Sequence, residues 1–205
     1  MSAYIWDLDG TLLDSYDVIT KAAVMAASDA GEKDPVREVL KKVKRTSLTA
    51  YLKDVSARSG ETYDSLSASY RLYTHSLDGE IRLMPGAEET LERLMRAGAE
   101  HYVFTHRGAS SEPILKRLGI LSYFREVVTA EYGFPPKPSG DGLKYLTEKY
   151  RMDPAGTWYV GDRAMDVLCA KDAGVKAALL LPADSFVSPT GQEDRIIREL
   201  CELSF

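Results

Sequence analysis

Two aspartates separated by a single residue stand at the end of an apolar run near the start of the chain. The run and its continuation read YIWDLDGTLLDS, residues 4–15, with the carboxylates at Asp7 and Asp9. Side chains two positions apart on a strand point the same way, so these charges repel unless a cation lies between them. Asp9–Gly10 is also a common turn pair, and such a stretch on its own is more often a strand end than a site.

Further polar residues follow other predicted strands, at the strand ends where α/β sheets bind ligands. They are Thr105, Lys137 in the loop FPPKPSG, Asp162, and Asp166 in the first turn of a helix. Each has an ordinary structural explanation by itself. Four aspartates together would repel by about 4 kcal/mol per close pair, which a divalent cation and the lysine offset. Hard oxygen ligands that leave positions for water and a phosphate suit Mg²⁺ better than Ca²⁺ or Zn²⁺.

This set of residues predicts phosphoryl transfer. A carboxylate beside Mg²⁺ is able to attack phosphorus, and a second carboxylate two residues away is able to move the proton of the leaving oxygen. A threonine hydroxyl and a lysine ammonium then hold the non-reacting phosphoryl oxygens, where charge accumulates in the transition state. The sequence contains no G-x-S-x-G elbow, Walker-type loop, G-x-G-x-x-G or paired-cysteine motif that would favour another chemistry.

A sheet is needed to bring these strand ends together, and the segments from residue 84 onward predict one. Strand candidates that are short, β-rich and nearly all apolar alternate with amphipathic helices, which favours a doubly wound α/β fold with a parallel sheet. The predicted strands are 3–7, 100–105, 125–130, 157–161 and 176–181. The predicted helices between them include 110–119, 141–150 and 166–174, the last ending at Gly174.

A long segment after the first strand contains no strand candidate and predicts an inserted all-helical domain. Its predicted helices are 16–30, 35–44, 47–59 and 62–77. Asp34 before Pro35 predicts an N-cap, and Ser47 predicts another. Because such an insert cannot lie in the sheet, we predict a helical cap domain over 16–82 and an α/β core domain over 1–15 and 83–205. The predicted linkers are 13–16 and 81–86.

Composition limits the possible partners. The chain has 205 residues, 44% of them hydrophobic, and a net charge of −5, which argues against a nucleic-acid-binding surface. Two cysteines in helical patterns, with no secretory apolar region before the first strand, predict a cytoplasmic protein. No apolar run reaches the length of about 18 residues that a membrane helix needs. We expect a monomer or homodimer acting on a small molecule.

The motifs resemble those of the haloacid dehalogenase-like (HAD) hydrolase superfamily, in order and at the expected strand ends. They are DLDGT at 7–11, VFT ending at Thr105, Lys137 in KPS, and GDRAMD at 161–166. With the helical insert between the first two motifs, the resemblance covers nearly the whole chain. It points to the branch of phosphoglycolate phosphatase and β-phosphoglucomutase, which implies a Rossmann-like core with a helical C1-type cap.

The resemblance implies a role for each motif residue. Asp7 would be the nucleophile that becomes an aspartyl-phosphate and also ligates Mg²⁺. Asp9 would be the general acid and base and would give the metal its backbone carbonyl. Thr105 and Lys137 would bind the phosphoryl group, and Lys137 would also steady Asp7.

The resemblance also implies the remaining metal ligands and the turn. Asp162 would be a direct metal ligand, and Asp166 a ligand through water or a partner of the direct ligands. Gly10 and Thr11 would belong to the turn, and the backbone N–H of Leu8 would help to hold the phosphoryl group.

One departure from the family pattern leaves the substrate class open. Many relatives have asparagine after the threonine of the second motif, whereas THRG here places His106 and Arg107 beside the predicted phosphate site. Arg107 is able to bind a phosphate or carboxylate through two hydrogen bonds, and His106 to hydrogen-bond the substrate. Both side chains facing solvent is an equally good interpretation.

Asp9 separates the subclasses of the superfamily. Dehalogenases of the superfamily lack the second aspartate, and its P-type ATPases have lysine at that position. The presence of Asp9 therefore argues against both subclasses for this chain. A sugar phosphomutase of the β-phosphoglucomutase type stays an alternative to the predicted phosphatase, and a non-catalytic binding protein is a third. We expect substrate choice to lie in the cap, where Arg45 or Ser47 of the turn VKRTS (43–47) would contact the leaving group.

Overall fold

The computed structural model describes residues 2–183 and 185–204. The chain divides into two compact units, one of residues 1–14 and 82–205 and one of residues 15–81. We call them the sheet unit and the helical unit. Their description as a core domain over 1–15 and 83–205 and a cap domain over 16–82 stays a proposal, and the predicted ends at residues 1 and 205 lie outside the described residues.

A parallel sheet forms the frame of the sheet unit. Its strands are β1 (Ala3–Trp6), β4 (Glu100–Phe104), β5 (Phe124–Val128), β6 (Thr157–Gly161), β7 (Lys176–Leu180) and β8 (Arg195–Ile197). They lie in the order β5–β4–β1–β6–β7–β8, and every adjacent pair is parallel. From β1 the chain continues through β4 to β5 on one side, and then returns to β6 on the other side of β1, so the strand order reverses there, where α/β sheets bind ligands. The predicted doubly wound α/β fold is confirmed.

Helices flank the strands of the sheet unit and bury their apolar faces. They are α5 (Ala87–Arg96), α6 (Ser111–Arg117), α7 (Asp141–Lys149) and α8 (Ala164–Asp172). The core between α7, α8 and the sheet includes Tyr102, Phe104 and Tyr159, all nearly inaccessible to solvent. Gly142 lets α7 approach this core, because a Cβ there would lie 2.4 Å from the Phe104 ring. The predicted C′ glycine, Gly174, follows α8 with a positive φ of 72°.

The helical unit has a hydrophobic core of its own. Its helices are α1 (Tyr16–Asp29), α2 (Val36–Arg45), α3 (Leu48–Ser59) and α4 (Tyr63–Leu77). Apolar side chains from all four converge, among them Ile19, Val39, Leu52 and Leu66. The helical periodicity predicts that residues 16–77 contain helices and no strand. The bounds of these four helices agree with that prediction.

One of the two predicted N-caps in the helical unit is confirmed and the other is wrong. The Ser47 hydroxyl accepts a hydrogen bond of 3.0 Å from the Ala50 N–H at the start of α3. Asp34 does not cap α2, which begins at Val36 after Pro35. Its carboxylate instead accepts hydrogen bonds from the Tyr51 hydroxyl and the Arg58 guanidinium. Both donors contact Oδ2, which turns the carboxylate toward α3.

The structure adds strands that the sequence did not predict. β2 (Leu13–Asp14) and β3 (Arg82–Leu83) form an antiparallel ribbon out of the two predicted linkers. β8 extends the parallel sheet beyond β7 through pairs such as Leu179 with Ile196. Among the described residues, no helix combines the length and the apolarity that crossing a membrane requires.

Candidate active site

Lys137 links the carboxylate of Asp7, which directly follows β1, to that of Asp166, in the first turn of α8. Its ammonium donates to Asp7 Oδ1 at 2.7 Å and to Asp166 Oδ1 at 2.8 Å. All three side chains are at most 2% exposed. Asp162, which follows β6, is also buried. The structure therefore brings together four of the predicted residues, from three separate segments of the chain, and buries nearly all of their surface.

The charges of this cluster are not balanced. Burial raises the pKa of Asp7 to about 6, and repulsion by Asp166 adds to the rise, although Lys137 opposes it. Burial alone would also raise the pKa of Asp166, but Lys137 and Arg163 outweigh it and hold that pKa below its usual range. One ammonium thus serves two carboxylates, and Asp7 is the one left short of positive charge.

The donor set fits a divalent metal ion. Asp7, Asp162 and Asp166 each offer a carboxylate oxygen, and these oxygens all lie within 4.8 Å of one another. Asp7 Oδ2 is buried, and no group among residues 2–183 and 185–204 hydrogen-bonds it. A buried carboxylate oxygen of this kind needs a partner, and a hard cation is the partner that such oxygens prefer.

Local backbone features hold Asp166 in the cluster. Its Oδ2 accepts a 3.0 Å hydrogen bond from the Arg163 N–H at the start of α8. Gly161 is required beside it, because a Cβ there would lie 2.3 Å from Asp166 Cβ.

Tyr159 borders the cluster on its buried side. Its hydroxyl donates to Phe104 O at 2.9 Å, and its ring lies 5.2 Å from the Lys137 ammonium. The roles of Gly161, Arg163 and Tyr159 were not predicted from the sequence, although Gly161 and Arg163 belong to the motif GDRAMD.

A tight turn follows the nucleophile candidate. Leu8 O accepts hydrogen bonds from the N–H groups of Thr11, Leu12 and Leu13, between 2.8 and 3.1 Å. Gly10 has a φ of 80°, a conformation that L side chains rarely adopt. Leu8 and Thr11 are fully buried. That the Leu8 N–H holds a phosphoryl group stays a prediction.

His106 orients the loop that carries Lys137, although its side chain is not buried in the cluster. The Lys137 N–H donates to His106 Nε2 at 2.7 Å, which requires a neutral ring with its proton on Nδ1. Partial desolvation, with the positive charges of Lys137 and Arg163, lowers the pKa of His106 to about 4. Thr105 is buried after β4, and its hydroxyl oxygen accepts from the Arg107 N–H at 3.1 Å.

Arg107 pairs with Asp9. Its Nη2 donates to Asp9 Oδ1 at 2.7 Å, and its Nε lies 3.1 Å from Oδ1 and 3.3 Å from Oδ2. The arginine side chain is 6% exposed and the aspartate side chain 20%. Sequence reasoning placed both residues near the phosphate site but did not predict their contact, which joins positions 98 residues apart.

The two predicted specificity residues of the helical unit lie where α2 ends and α3 begins. Arg45 is the last residue of α2, and Ser47 caps α3. Most of the predicted turn 43–47 is therefore helix end and helix cap. That either residue contacts the leaving group stays a prediction.

Comparisons with known proteins agree with the motifs. The sequence profile described as haloacid dehalogenase-like hydrolase matches residues 4–180. The phosphoglycolate phosphatase of Vibrio parahaemolyticus is 31% identical over 179 residues, which cover 82% of this chain and 78% of that protein. The pyrophosphatase PpaX of Bacillus velezensis is 27% identical over 180 residues, covering 87% and 82%.

A solved structure shares the fold. The predicted phosphoglycolate phosphatase of Haemophilus somnus has a TM-score of 0.82 and 24% identity to this chain, covering 98% of it and 95% of its own chain. The sequence matches support the prediction of a phosphatase. The profile covers all four motifs and most of the chain, and the chain therefore belongs to the haloacid dehalogenase-like hydrolase family.

Proposed function

We propose that this protein is a Mg²⁺-dependent phosphatase that hydrolyses a small soluble phosphomonoester through an aspartyl-phosphate on Asp7. The observation that carries the proposal is the buried cluster of Asp7, Lys137 and Asp166 beside Asp162. Buried charges of this density are expensive, and proteins retain them mainly where chemistry requires them.

In the first step an Asp7 carboxylate oxygen attacks phosphorus and forms a P–O bond. The bond between phosphorus and the leaving oxygen breaks, and that oxygen takes a proton from the Asp9 carboxyl group, so the products are an alcohol and the aspartyl-phosphate. Lys137 and Thr105 hold the non-reacting phosphoryl oxygens. The Lys137 ammonium stays charged for this task, because Asp166 and Asp7 raise its pKa against the effect of burial.

In the second step water attacks the same phosphorus and gives its proton to the Asp9 carboxylate. The P–O bond to Asp7 breaks, which releases inorganic phosphate and restores both aspartates to their starting states. Asp9 therefore acts as acid in one step and as base in the other.

Asp7 and Asp162 would hold the Mg²⁺ ion directly, with the Asp9 carbonyl, while Asp166 would bind it through water. When bound, the ion supplies positive charge to the phosphoryl oxygens and to Asp7. The unpartnered Asp7 Oδ2 and the raised pKa of Asp7 support this assignment.

The relatives suggest which phosphate compounds to test. The name of the Vibrio protein suggests phosphoglycolate, and that of the Bacillus protein suggests pyrophosphate. We propose a small anionic phosphomonoester of the phosphoglycolate type, selected in part by Arg45 or Ser47. His106 and Arg107 are further candidates for substrate contact.

The test is phosphate release from phosphoglycolate, sugar phosphates, pyrophosphate and p-nitrophenyl phosphate, with Mg²⁺ and with EDTA. We expect turnover only with Mg²⁺ and loss of at least about a thousand-fold in Asp7→Asn, which lacks the nucleophile. Asp141→Asn is the matched control, because Asp141 forms a half-exposed surface pair with Lys144.

Three outcomes would contradict the proposal. Turnover that survives Asp7→Asn would exclude the aspartyl-phosphate. A wild-type protein that releases no phosphate but isomerises a sugar phosphate would favour the phosphomutase alternative, and inactivity in both assays would favour a binding protein.

A further inference from the structure

The side chain of Arg107 is used within the sheet unit rather than extended toward solvent. Two of its nitrogens contact both oxygens of the Asp9 carboxylate, at 2.7, 3.1 and 3.3 Å. A contact through two nitrogens and two oxygens fixes the plane of the carboxylate as well as its distance, which a single hydrogen bond does not. The pair therefore restricts the rotation of Asp9.

Arg107 is itself held at several points. Its N–H donates to the Thr105 hydroxyl at 3.1 Å, its carbonyl accepts from the Ala130 N–H at 3.2 Å, and its Nη1 donates to the Ser110 hydroxyl at 3.3 Å. The backbone of Arg107 is thus attached to the end of β4 and to the segment after β5, and its guanidinium to Ser110 just before α6. The Asp9 carboxylate bound to this guanidinium is therefore held relative to the sheet. Its position does not depend only on the turn at Gly10.

Asp9 needs such support more than Asp7 does. Asp7 is anchored by Lys137 in the buried cluster, whereas the Asp9 side chain is one-fifth exposed. A group that transfers protons works only when it is held within about 0.5 Å of its productive position. Burying a guanidinium is also costly, and a hydrophobic side chain of similar size would serve packing alone as well.

We infer that Arg107 is a positioning residue for Asp9: its two shorter contacts both end on Oδ1, which holds the carboxyl group in place while Oδ2 carries the proton in the first step and receives it in the second. This inference rests on the proposed function, because it assigns Arg107 to the proton transfers of that reaction. It differs from the sequence-based hypothesis that Arg107 binds the phosphate or a carboxylate of the substrate.

The test is a double-mutant cycle with Arg107→Gln and Asp9→Asn, assayed on p-nitrophenyl phosphate and on an alkyl phosphate. We expect Arg107→Gln to lower kcat on the alkyl phosphate by about ten-fold or more, with a KM change below about three-fold. The loss on p-nitrophenyl phosphate should be smaller, because p-nitrophenolate leaves without a proton. In the Asp9→Asn background, Arg107→Gln should change kcat on p-nitrophenyl phosphate by less than about two-fold.

Controls separate positioning from folding. Arg107→Lys keeps the buried positive charge but not the two-nitrogen contact, so its kcat should lie between those of wild type and Arg107→Gln. Arg125→Gln breaks another arginine–carboxylate pair of the sheet unit, with Glu100, and should leave activity unchanged. Thermal unfolding of each variant identifies any that fail to fold.

Each other outcome overturns the inference. A raised KM with unchanged kcat would assign Arg107 to substrate binding. An equal loss of kcat in the wild-type and Asp9→Asn backgrounds would show that Arg107 does not act through Asp9. If wild type hydrolyses phosphate esters and Asp7→Asn does not, either result removes only the inference; an inactive wild type removes the proposed function as well.

Discussion

One charged cluster in each unit of the chain allows a comparison, because the two clusters lie in opposite environments. In the sheet unit, the side chains of Asp7, Lys137 and Asp166 are at most 2% exposed, and the Lys137 ammonium contacts both carboxylates. In the helical unit, Arg58 pairs with carboxylates of three residues, and its side chain is 37% exposed. Those carboxylates belong to Glu32, Asp34 and Asp54. Both sets combine a basic residue with acidic ones, so residue charge alone does not distinguish them.

Burial is what distinguishes a site from a solvated surface. Desolvating a charge is unfavourable by several kcal/mol, so a buried cluster of charges lowers stability unless every member has a partner. Exposed pairs are screened by water and contribute about 1 kcal/mol or less. The comparison therefore predicts that substitutions in the sheet-unit cluster have large effects and that matching substitutions at the surface have small ones.

The largest effect is expected from Lys137→Ala. Removing the ammonium leaves Asp7 and Asp166 buried without their shared cation, which should lower the free energy of unfolding by about 3–5 kcal/mol in EDTA. Mg²⁺ should restore part of this loss by binding the folded state. Urea denaturation with and without Mg²⁺ measures both. Lys144→Ala is the control, since Lys144 pairs with Asp172 at the surface, and an equal loss there would contradict the comparison.

Acidification should destabilise the sheet unit through His101. This buried ring accepts a 3.1 Å hydrogen bond from Trp6 Nε1, and burial lowers its pKa from 6.5 to about 4. Between these pH values the unfolded chain binds the extra proton, so stability is lost as the pH falls from about 6.5 to about 4, by about 3 kcal/mol at most. Urea denaturation at several pH values should show a flatter dependence in His101→Gln. The same replacement at exposed His75 is the control, and equal curves for His101→Gln and wild type would refute the assignment.

Gly161→Ala sharpens the comparison without changing a charge. The added Cβ would lie 2.3 Å from Asp166 Cβ, so the carboxylate must shift or the backbone must move. We expect a loss of about 1–3 kcal/mol and a larger relative loss of phosphatase activity. Gly79→Ala, which meets no atom within 4 Å, should stay within about 0.5 kcal/mol of wild type in thermal denaturation. Similar effects of the two substitutions would mean that Asp166 is not confined.

The smallest effect is expected in the helical unit. Arg58→Gln should lower the free energy of unfolding by about 1 kcal/mol or less, because its partners are already solvated. Raising the salt concentration should shrink the difference between variant and wild type. Denaturation at low and high salt tests this, and a loss as large as that of Lys137→Ala would remove the distinction between the two units.

Most of the fold was accessible to sequence reasoning because its elements are long or strongly patterned. The apolar strands β1, β4, β5, β6 and β7 and the four helices of the helical unit lie close to their predicted bounds. β8 has three residues in a charged context, RIIRE, so no period was available to indicate it. The ribbon of β2 and β3 has two residues per strand, which is too short to leave any pattern.

The residues of the site could be predicted from the sequence, but few of the contacts between them could. Motif residues at strand ends follow from the order of elements, which is how Asp7, Lys137 and Asp166 were found together. Contacts between distant loops have no sequence period. The pair of Arg107 with Asp9 and the hydrogen bond from the Lys137 N–H to His106 are of this kind, and only the three-dimensional structure supplies them.

The ribbon of β2 and β3 brings the two ends of the segment 15–81 together. Leu13 pairs with Leu83 and Asp14 with Arg82, so the chain leaves the sheet unit and re-enters it at adjacent points. Facing residues in an antiparallel pair have Cα atoms about 5 Å apart, a gap that a two-residue hairpin turn closes. We therefore expect that Asn-Gly in place of residues 15–81 keeps Leu13 paired with Leu83 and Asp14 with Arg82, and circular dichroism of the shortened chain tests whether the sheet unit then folds without the helical unit.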